Sequence, residues 1–345
     1  MMWPMKKRVY IAYTGGTIGM KEVNGRYLPV PNYLQELMAA DPAFRHPDLP
    51  DYVIHQYAPL FDSPDMTPAD WSNIARDICE NYADYDGFIV LHGTDTMAYT
   101  ASALAFMLDG LAKPVIVTGA QIPLGEIRSD AQDNLISSLL LATHEFVIPE
   151  VGLYFNSRLF RGCRAVKVDA DGFDAFASPN FPALATLGVG VEIREGLVKR
   201  PLSPPPSTID LREIKDPADV GTFRLFPGVS AQILANVLQP PLRGLVLETY
   251  GAGNGPTSDK EFLRVLAEAT ARGVVLVNCT QCLRGTVDQS LYATGAELAE
   301  AGIFSGYDMT PEAALTKLAY LLSISNDVTQ IREMMQQDLR GELTR

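Results

Sequence analysis

The chain is poor in the residues that metal centres and disulfide frameworks require. It has 4 cysteines and 4 histidines among 345 residues. Only Cys279 and Cys282 stand at C-x-x-C spacing, and no second ligand pair accompanies them. His46, His55, His92 and His144 form no H-x-x-x-H pair. Reduced, structural cysteines are expected rather than a metal site, and the sequence calls for no metal and no cofactor. Positive charge is also short, with 28 Lys and Arg against 41 Asp and Glu and a formal net charge of -13. A nucleic-acid partner needs a basic patch, and an anionic membrane surface needs the same. Neither is expected, and the acidity reads as solubility. No run approaches the ~20 apolar residues of a membrane span. Lys6, Lys7 and Arg8 precede the apolar stretch Val9–Tyr13, which is shorter than the ~7–15 residues of a signal-peptide core. It reads as a first strand, and the cytoplasm is the expected compartment.

What is present is α/β alternation. Gly87–Leu91 and Pro114–Val117 are short, nearly all-apolar runs, as in parallel strands covered on both faces. Thr67-Pro68-Ala69-Asp70 combines an N-cap threonine, a proline at the first helical position and a first-turn acid. Trp71, Ile74, Ala75 and Ile78 then share one helical face. Ala101–Leu108 and Leu135–Ala142 read as buried helices. Pro201, Pro204, Pro205, Pro206 and Pro217 interrupt the pattern. Alternation resumes with Gly244–Leu247, a helix from about Ser258 to Ala271, and Gly273–Val277. Thr310-Pro311-Glu312 starts a last pair of helices. The expected organisation is a larger N-terminal α/β domain over 1–197 with a mostly parallel sheet, a linker over 198–221, and a smaller α/β domain over 222–345.

Two runs carry the chemistry. Tyr13-Thr14-Gly15-Gly16-Thr17-Ile18-Gly19 and Leu91-His92-Gly93-Thr94-Asp95-Thr96 each follow a β-branched apolar stretch. Each reads as the carboxyl end of a buried strand entering a glycine turn, which is where open α/β sheets bind ligands. The first run is neither G-x-G-x-x-G nor a P-loop. Asn24-Gly25 after it signals a hairpin, placed to act as a flap or to be an ordinary turn. Threonine is a weak nucleophile until a base accepts its proton. His92 reads as structural. An alternative activator is a lysine whose pKa burial lowers, oriented by a carboxylate. Asp95 supplies the carboxylate. Lys167, flanked by apolar residues, either points inward to serve or remains a surface charge on an edge strand.

These residues resemble the L-asparaginases. Tyr13–Ile18, His92–Thr96, Thr118-Gly119-Ala120-Gln121 and Tyr250-Gly251-Ala252-Gly253-Asn254 carry the likeness, which spans almost the whole chain. Arg161–Lys167, Ala170–Phe176, Asn278–Cys282 and Leu339–Thr344 resemble the bacterial cytoplasmic (type I) members in particular. The resemblance implies hydrolysis of L-asparagine to L-aspartate and ammonia through an acyl-enzyme. It assigns the nucleophile to Thr17 and a supporting role to the flap residue Tyr27. It makes Thr94, Asp95 and Lys167 a second catalytic cluster. It gives Ser63 to the substrate α-carboxylate, Asp95 to the α-ammonium, and the Ala120 carbonyl to the leaving amide nitrogen, and it counts Asp62 among the substrate-binding residues. Gly93 joins the substrate-binding turn. Asn254 is expected to reach a neighbouring subunit's site, so the implied working unit is an intimate dimer, in a dimer of dimers.

There are departures. Pro64 stands where relatives carry a polar residue. Glu248 and Val166 stand where relatives activated by asparagine carry a basic residue and a threonine, so effector activation is expected to be weak or absent. Two other readings compete: a related amidohydrolase acting on glutamine or a carrier-linked amide, and a non-catalytic amino-acid sensor.

Overall fold

The computed structural model describes residues 6–200 and 208–345. The chain divides into two compact units, one of residues 1–178 and 182–211, the other of 179–181 and 212–345. The prolines at 201 and 204–206 lie outside the described residues. The expected linker is structured at both of its described ends. Asp210–Leu211 is a strand of the first unit, and Val220 already begins the sheet of the second.

The first unit opens with β1 (Arg8–Gly15), a hairpin of β2 (Met20–Val23) and β3 (Arg26–Pro29), α1 (Tyr33–Ala40) and β4 (Asp51–Phe61). Next come α2 (Pro68–Asn81), β5 (Gly87–Leu91), α3 (Met97–Met107), β6 (Leu108–Asp109), β7 (Val115–Thr118), α4 (Ala131–Ala142) and β8 (Val151–Phe155). It closes with β9 (Arg158–Arg161), β10 (Val166–Lys167), β11 (Phe176–Ala177), β12 (Ala185–Leu187), β13 (Val191–Ile193) and β14 (Asp210–Leu211). One sheet runs β13-β12-β9-β8-β7-β5-β1-β4. From β4 to β8 every pairing is parallel, and from β8 to β13 it is antiparallel.

Local chemistry explains the elements that position the site. β5 and β7 are buried along their whole length, so their side chains fill both faces of the sheet. Thr67 and Asp70 form a reciprocal capping box at the start of α2, with Pro68 at its first turn. Asn24 and Gly25 adopt φ 54° and 76°, the paired positive angles of a tight hairpin turn.

The second unit holds β15 (Val220–Arg224), α5 (Ala231–Val237), β16 (Gly244–Thr249), α6 (Lys260–Ala271), β17 (Val275–Thr280), α7 (Ala293–Glu300), β18 (Phe304–Ser305), α8 (Pro311–Ile324) and α9 (Val328–Met335). Its four strands pair in parallel in chain order. The helix expected from Ser258 begins at Lys260 because Asp259 is its cap, accepting from the Glu261 and Phe262 N–H groups. No described helix is long and apolar enough to cross a membrane.

Candidate active site

The segments singled out in the first unit leave neighbouring strands of one sheet. Thr17 follows β1, Ser63 follows β4, Thr94 follows β5 and Ala120 follows β7, in the spatial order β4-β1-β5-β7. Their turns touch backbone to backbone. A Cβ on Gly16, where φ is 83°, would lie 2.4 Å from the Gly93 nitrogen. A Cβ on Gly93 would lie 2.5 Å from Ser63 Oγ. Only glycine allows this closeness.

The two threonines of the first motif have different fates. Thr14 is 1% exposed, and its hydroxyl donates to the Leu91 carbonyl at 2.8 Å, tying β1 to β5. Thr17 opens a short 3-10 turn, Thr17–Gly19, and is half-buried. Spacing alone leaves the choice between them open, whereas the sheet consumes the hydroxyl of Thr14.

Lys167 proves to point inward. Its side chain is 18% exposed, and its Nζ donates to Thr94 Oγ1 at 2.9 Å and to Asp95 Oδ1 at 2.8 Å. The Thr94 hydroxyl donates to Gln121 Oε1 at 3.1 Å, while Gln121 Nε2 donates to the Gly172 carbonyl at 3.1 Å. The Asp95 side chain is 61% exposed and free to meet a cation from solution. Ser63 is buried in the 3-10 turn Ser63–Asp65, which Asp62 precedes and Pro64 rigidifies. Ala120 is buried beside Gln121, whose N–H is accepted by the Asp130 carboxylate.

His92 is structural in its bonding. Trp71 Nε1 donates to Thr100 Oγ1 at 3.0 Å, and Thr100 Oγ1 lies 2.8 Å from His92 Nε2. His92 Nδ1 lies 2.6 Å from the Gly93 carbonyl. A carbonyl can only accept, so Nδ1 carries the proton and Nε2 accepts from Thr100. Complete burial pushes the imidazole pKa down to about 4, partly opposed by the bond to Gly93. The ring is neutral near pH 7.

Tyr27 lies on the exposed hairpin, and no hydrogen bond joins it to Thr17 among the described residues. Partial desolvation and the carboxylates of Glu126 and Glu22 raise its phenol pKa. Asn254 belongs to the second unit. Its backbone bridges Tyr250, and its Oδ1 accepts from Thr294 Oγ1 at 2.7 Å. Glu248, which stands where relatives activated by asparagine carry a basic residue, lies 3.3 Å from the Arg224 guanidinium of the adjacent strand. Val166 is buried.

Sequence reasoning gave no role to Gln121 or Thr96, although both stand in the quoted motifs. The available signal was position, since each follows a buried strand by a few residues. Among the described residues no group of three or more His, Cys, Asp and Glu is arranged to hold a metal.

Chemically, the strand ends offer a hydroxyl on a glycine turn and, beside it, a threonine–lysine–carboxylate chain whose carboxylate, Asp95, is open to solution. That arrangement suits acyl transfer from a small polar amide. Comparison with known proteins leads to the same class. Residues 8–199 match the family model described as Asparaginase, N-terminal, and residues 219–335 match the Glutaminase/Asparaginase C-terminal domain. L-asparaginase 1 of Escherichia coli strain K12 is 53% identical over 343 residues, covering 98% of each chain. The crystal structure of L-asparaginase I from Vibrio cholerae matches at a TM-score of 0.90 and 50% identity, covering 98% of this chain and 99% of that one. The thermostable L-asparaginase from Thermococcus kodakarensis matches at a TM-score of 0.86 and 34% identity, with the same coverage. With both halves of the chain matched and the first unit's motifs gathered at one row of strand ends, the protein belongs to the asparaginase family and groups with the type I members.

Proposed function

We propose that the protein hydrolyses L-asparagine to L-aspartate and ammonia, with Thr17 as nucleophile and an acyl-enzyme intermediate. The observation that carries this is the Lys167 ammonium bridging Thr94 and Asp95 at 2.9 and 2.8 Å, on the turn that packs against the glycines before Thr17. Thr17 Oγ attacks the carboxamide carbon and the carbonyl oxygen takes the negative charge. Backbone N–H groups at the Thr17 and Thr94 turns stabilise that oxyanion, a contribution worth ~3 kcal/mol per donor. The C–N bond breaks, ammonia leaves with the proton, and the aspartyl group remains esterified to Thr17. Water then cleaves the ester, giving aspartate and restoring the hydroxyl. The Lys167 ammonium donates to Thr94 Oγ1 and Asp95 Oδ1 and so holds both groups in place beside the reacting carboxamide. Closure of the hairpin brings Tyr27 over Thr17. Ser63 receives the α-carboxylate on the Gly93 turn, Asp95 the α-ammonium, and the Ala120 carbonyl the leaving nitrogen, with Asp62 also counted in the substrate-binding set.

The test is ammonia release from L-asparagine, L-glutamine and D-asparagine, with Thr17→Ala and Thr94→Val as controls. L-asparagine is expected to be the preferred substrate, and each variant to lose several orders of magnitude in kcat. Near-wild-type turnover in either folded variant would sink the two-threonine mechanism.

The working unit is proposed to be an intimate dimer within a homotetramer, in the cytoplasm, with Asn254 completing a neighbour's site. Gly253, at φ 112°, packs its bare Cα against Val287 and Asn278 of its own unit and so fixes the shape of the Tyr250–Asn254 loop. Co-assembled Thr17→Ala and Asn254→Ala subunits should regain activity, because some sites then draw on both intact residues. Demonstrated hetero-oligomers that stay inactive would count against a shared site.

A further inference from the structure

Thr96 occupies the N-cap of α3 yet does not cap it. An N-cap threonine ordinarily turns its hydroxyl onto the N–H groups of the first helical turn, a contact worth ~1 kcal/mol. Here the hydroxyl instead donates to the Ser63 carbonyl at 2.7 Å, across 33 residues of sequence. Three residues earlier, Gly93 presents a bare Cα to the same serine, where a Cβ would lie 2.5 Å from Ser63 Oγ and 2.7 Å from Ser63 Cβ. The two ends of the turn therefore grip one residue, Gly93 its side chain and Thr96 its carbonyl. Thr94 and Asp95 lie between those grips.

We propose that Thr96 is a positioning residue that fixes the spacing between the two groups reading the substrate's α-carbon. The inference rests on the function proposed above, in which Ser63 receives the α-carboxylate and Asp95 the α-ammonium. These groups come from different strands, β4 and β5, which are not neighbours in the sheet because β1 lies between them. No backbone pairing between β4 and β5 sets their separation. The Thr96–Ser63 bond supplies that missing constraint directly at the site. Reading the configuration of an α-amino acid takes at least three contacts, here at the carboxylate, the ammonium and the side-chain amide, so a bond that fixes the first two governs affinity and L-against-D discrimination rather than the chemical step.

The test compares Thr96→Val, which removes the hydroxyl at constant shape, with Thr96→Ser, which keeps it. Losing one buried hydrogen bond corresponds to about a tenfold effect. In Thr96→Val the KM for L-asparagine should rise about tenfold with kcat within about threefold, the signature of lost uniform binding. The Kd of L-aspartate, read by calorimetry, should weaken in step, and the L-to-D asparagine selectivity should fall. Thr96→Ser should restore all three values. Combined with Ser63→Ala, Thr96→Val should add little, since both act through one contact. An unchanged KM and aspartate Kd in Thr96→Val, or a serine variant as impaired as the valine one, would overturn the role of Thr96. If Thr96→Val does not fold, Thr96→Ala is read the same way. Wild-type protein that releases no ammonia from asparagine would instead overturn the proposed function, so the two failures are separable.

Discussion

Lys167 donates to two oxygens at once, Thr94 Oγ1 and Asp95 Oδ1. Its partner Asp95 is 61% exposed, so water screens the ion pair. A pair of that kind contributes ~0–1 kcal/mol to stability. Its importance therefore lies in orienting Thr94 rather than in holding the fold. Lys167→Met keeps the stem's packing and removes only the ammonium. Its melting temperature should stay within a few degrees of wild type, while ammonia release from asparagine falls by about three orders of magnitude or more. A folded Lys167→Met enzyme retaining a tenth of wild-type kcat would refute that orienting role. The sequence singles out this lysine by its apolar flanks but does not decide between an inward and a surface side chain, because its partners lie 73 and 72 residues away. Its apolar neighbours are equally compatible with a surface strand. The opposite holds at Thr14 and Thr17, where sequence offered two hydroxyls and the β1–β5 pairing consumed one.

At the scale of elements, the hairpin of β2 and β3 is governed by its turn. Gly25 has φ 76°, and a Cβ there meets nothing within 4 Å. Gly25→Ala therefore carries a purely conformational penalty of ~1 kcal/mol. β3 is exposed throughout, so global melting should not change. The closed flap should be less populated, and kcat for asparagine should drop several-fold with little change in aspartate affinity. Equal kcat in the variant and wild type would show that the hairpin does not carry Tyr27 to the site. This hairpin was legible from Asn24-Gly25 alone, as were α2 from its cap and α8 from Thr310-Pro311. Each is specified by interactions within a few residues. The antiparallel extension through β9, β12 and β13 was not, nor was the pairing of β14 with β6. Those strands are two to four residues long, too short to show a hydrophobic period, and the β9–β12 and β6–β14 pairings join distant segments. The site was legible as motifs at strand ends. The contacts that weld the motifs together, Thr96 to Ser63 and Thr94 to Gln121, were not.

At the scale of the whole molecule, the chain's acidity makes proton uptake the natural route to unfolding, and two groups set where it begins. His92 is held neutral by burial, with its pKa lowered from 6.5 to about 4. A lowered folded pKa means that stability is fully present above 6.5 and is lost as pH falls through about 4. In the second unit, Lys317 on α8 and Glu342 near the C-terminus are both fully buried. Nζ donates to the Met335 carbonyl at 3.0 Å and pairs with Glu342 at 2.5 Å. Glu342 also accepts from the Leu339 and Arg340 N–H groups, which folds the tail back on itself. Burial alone would raise the Glu342 carboxyl pKa. The Lys317 charge and these N–H donors outweigh it and hold the group at about 2 against an ordinary 4.5. Stability from this pair is present above 4.5 and disappears between 4.5 and about 2. Glu342→Gln leaves the Lys317 ammonium buried without its counter-charge, a defect costing ~3–5 kcal/mol. The variant should melt well below wild type at pH 7. Its melting temperature should also fall less steeply than the wild type's between pH 4.5 and 3, because the group that titrates there is gone. Parallel pH slopes for the two proteins across that window would show that the buried pair does not control the acid limb.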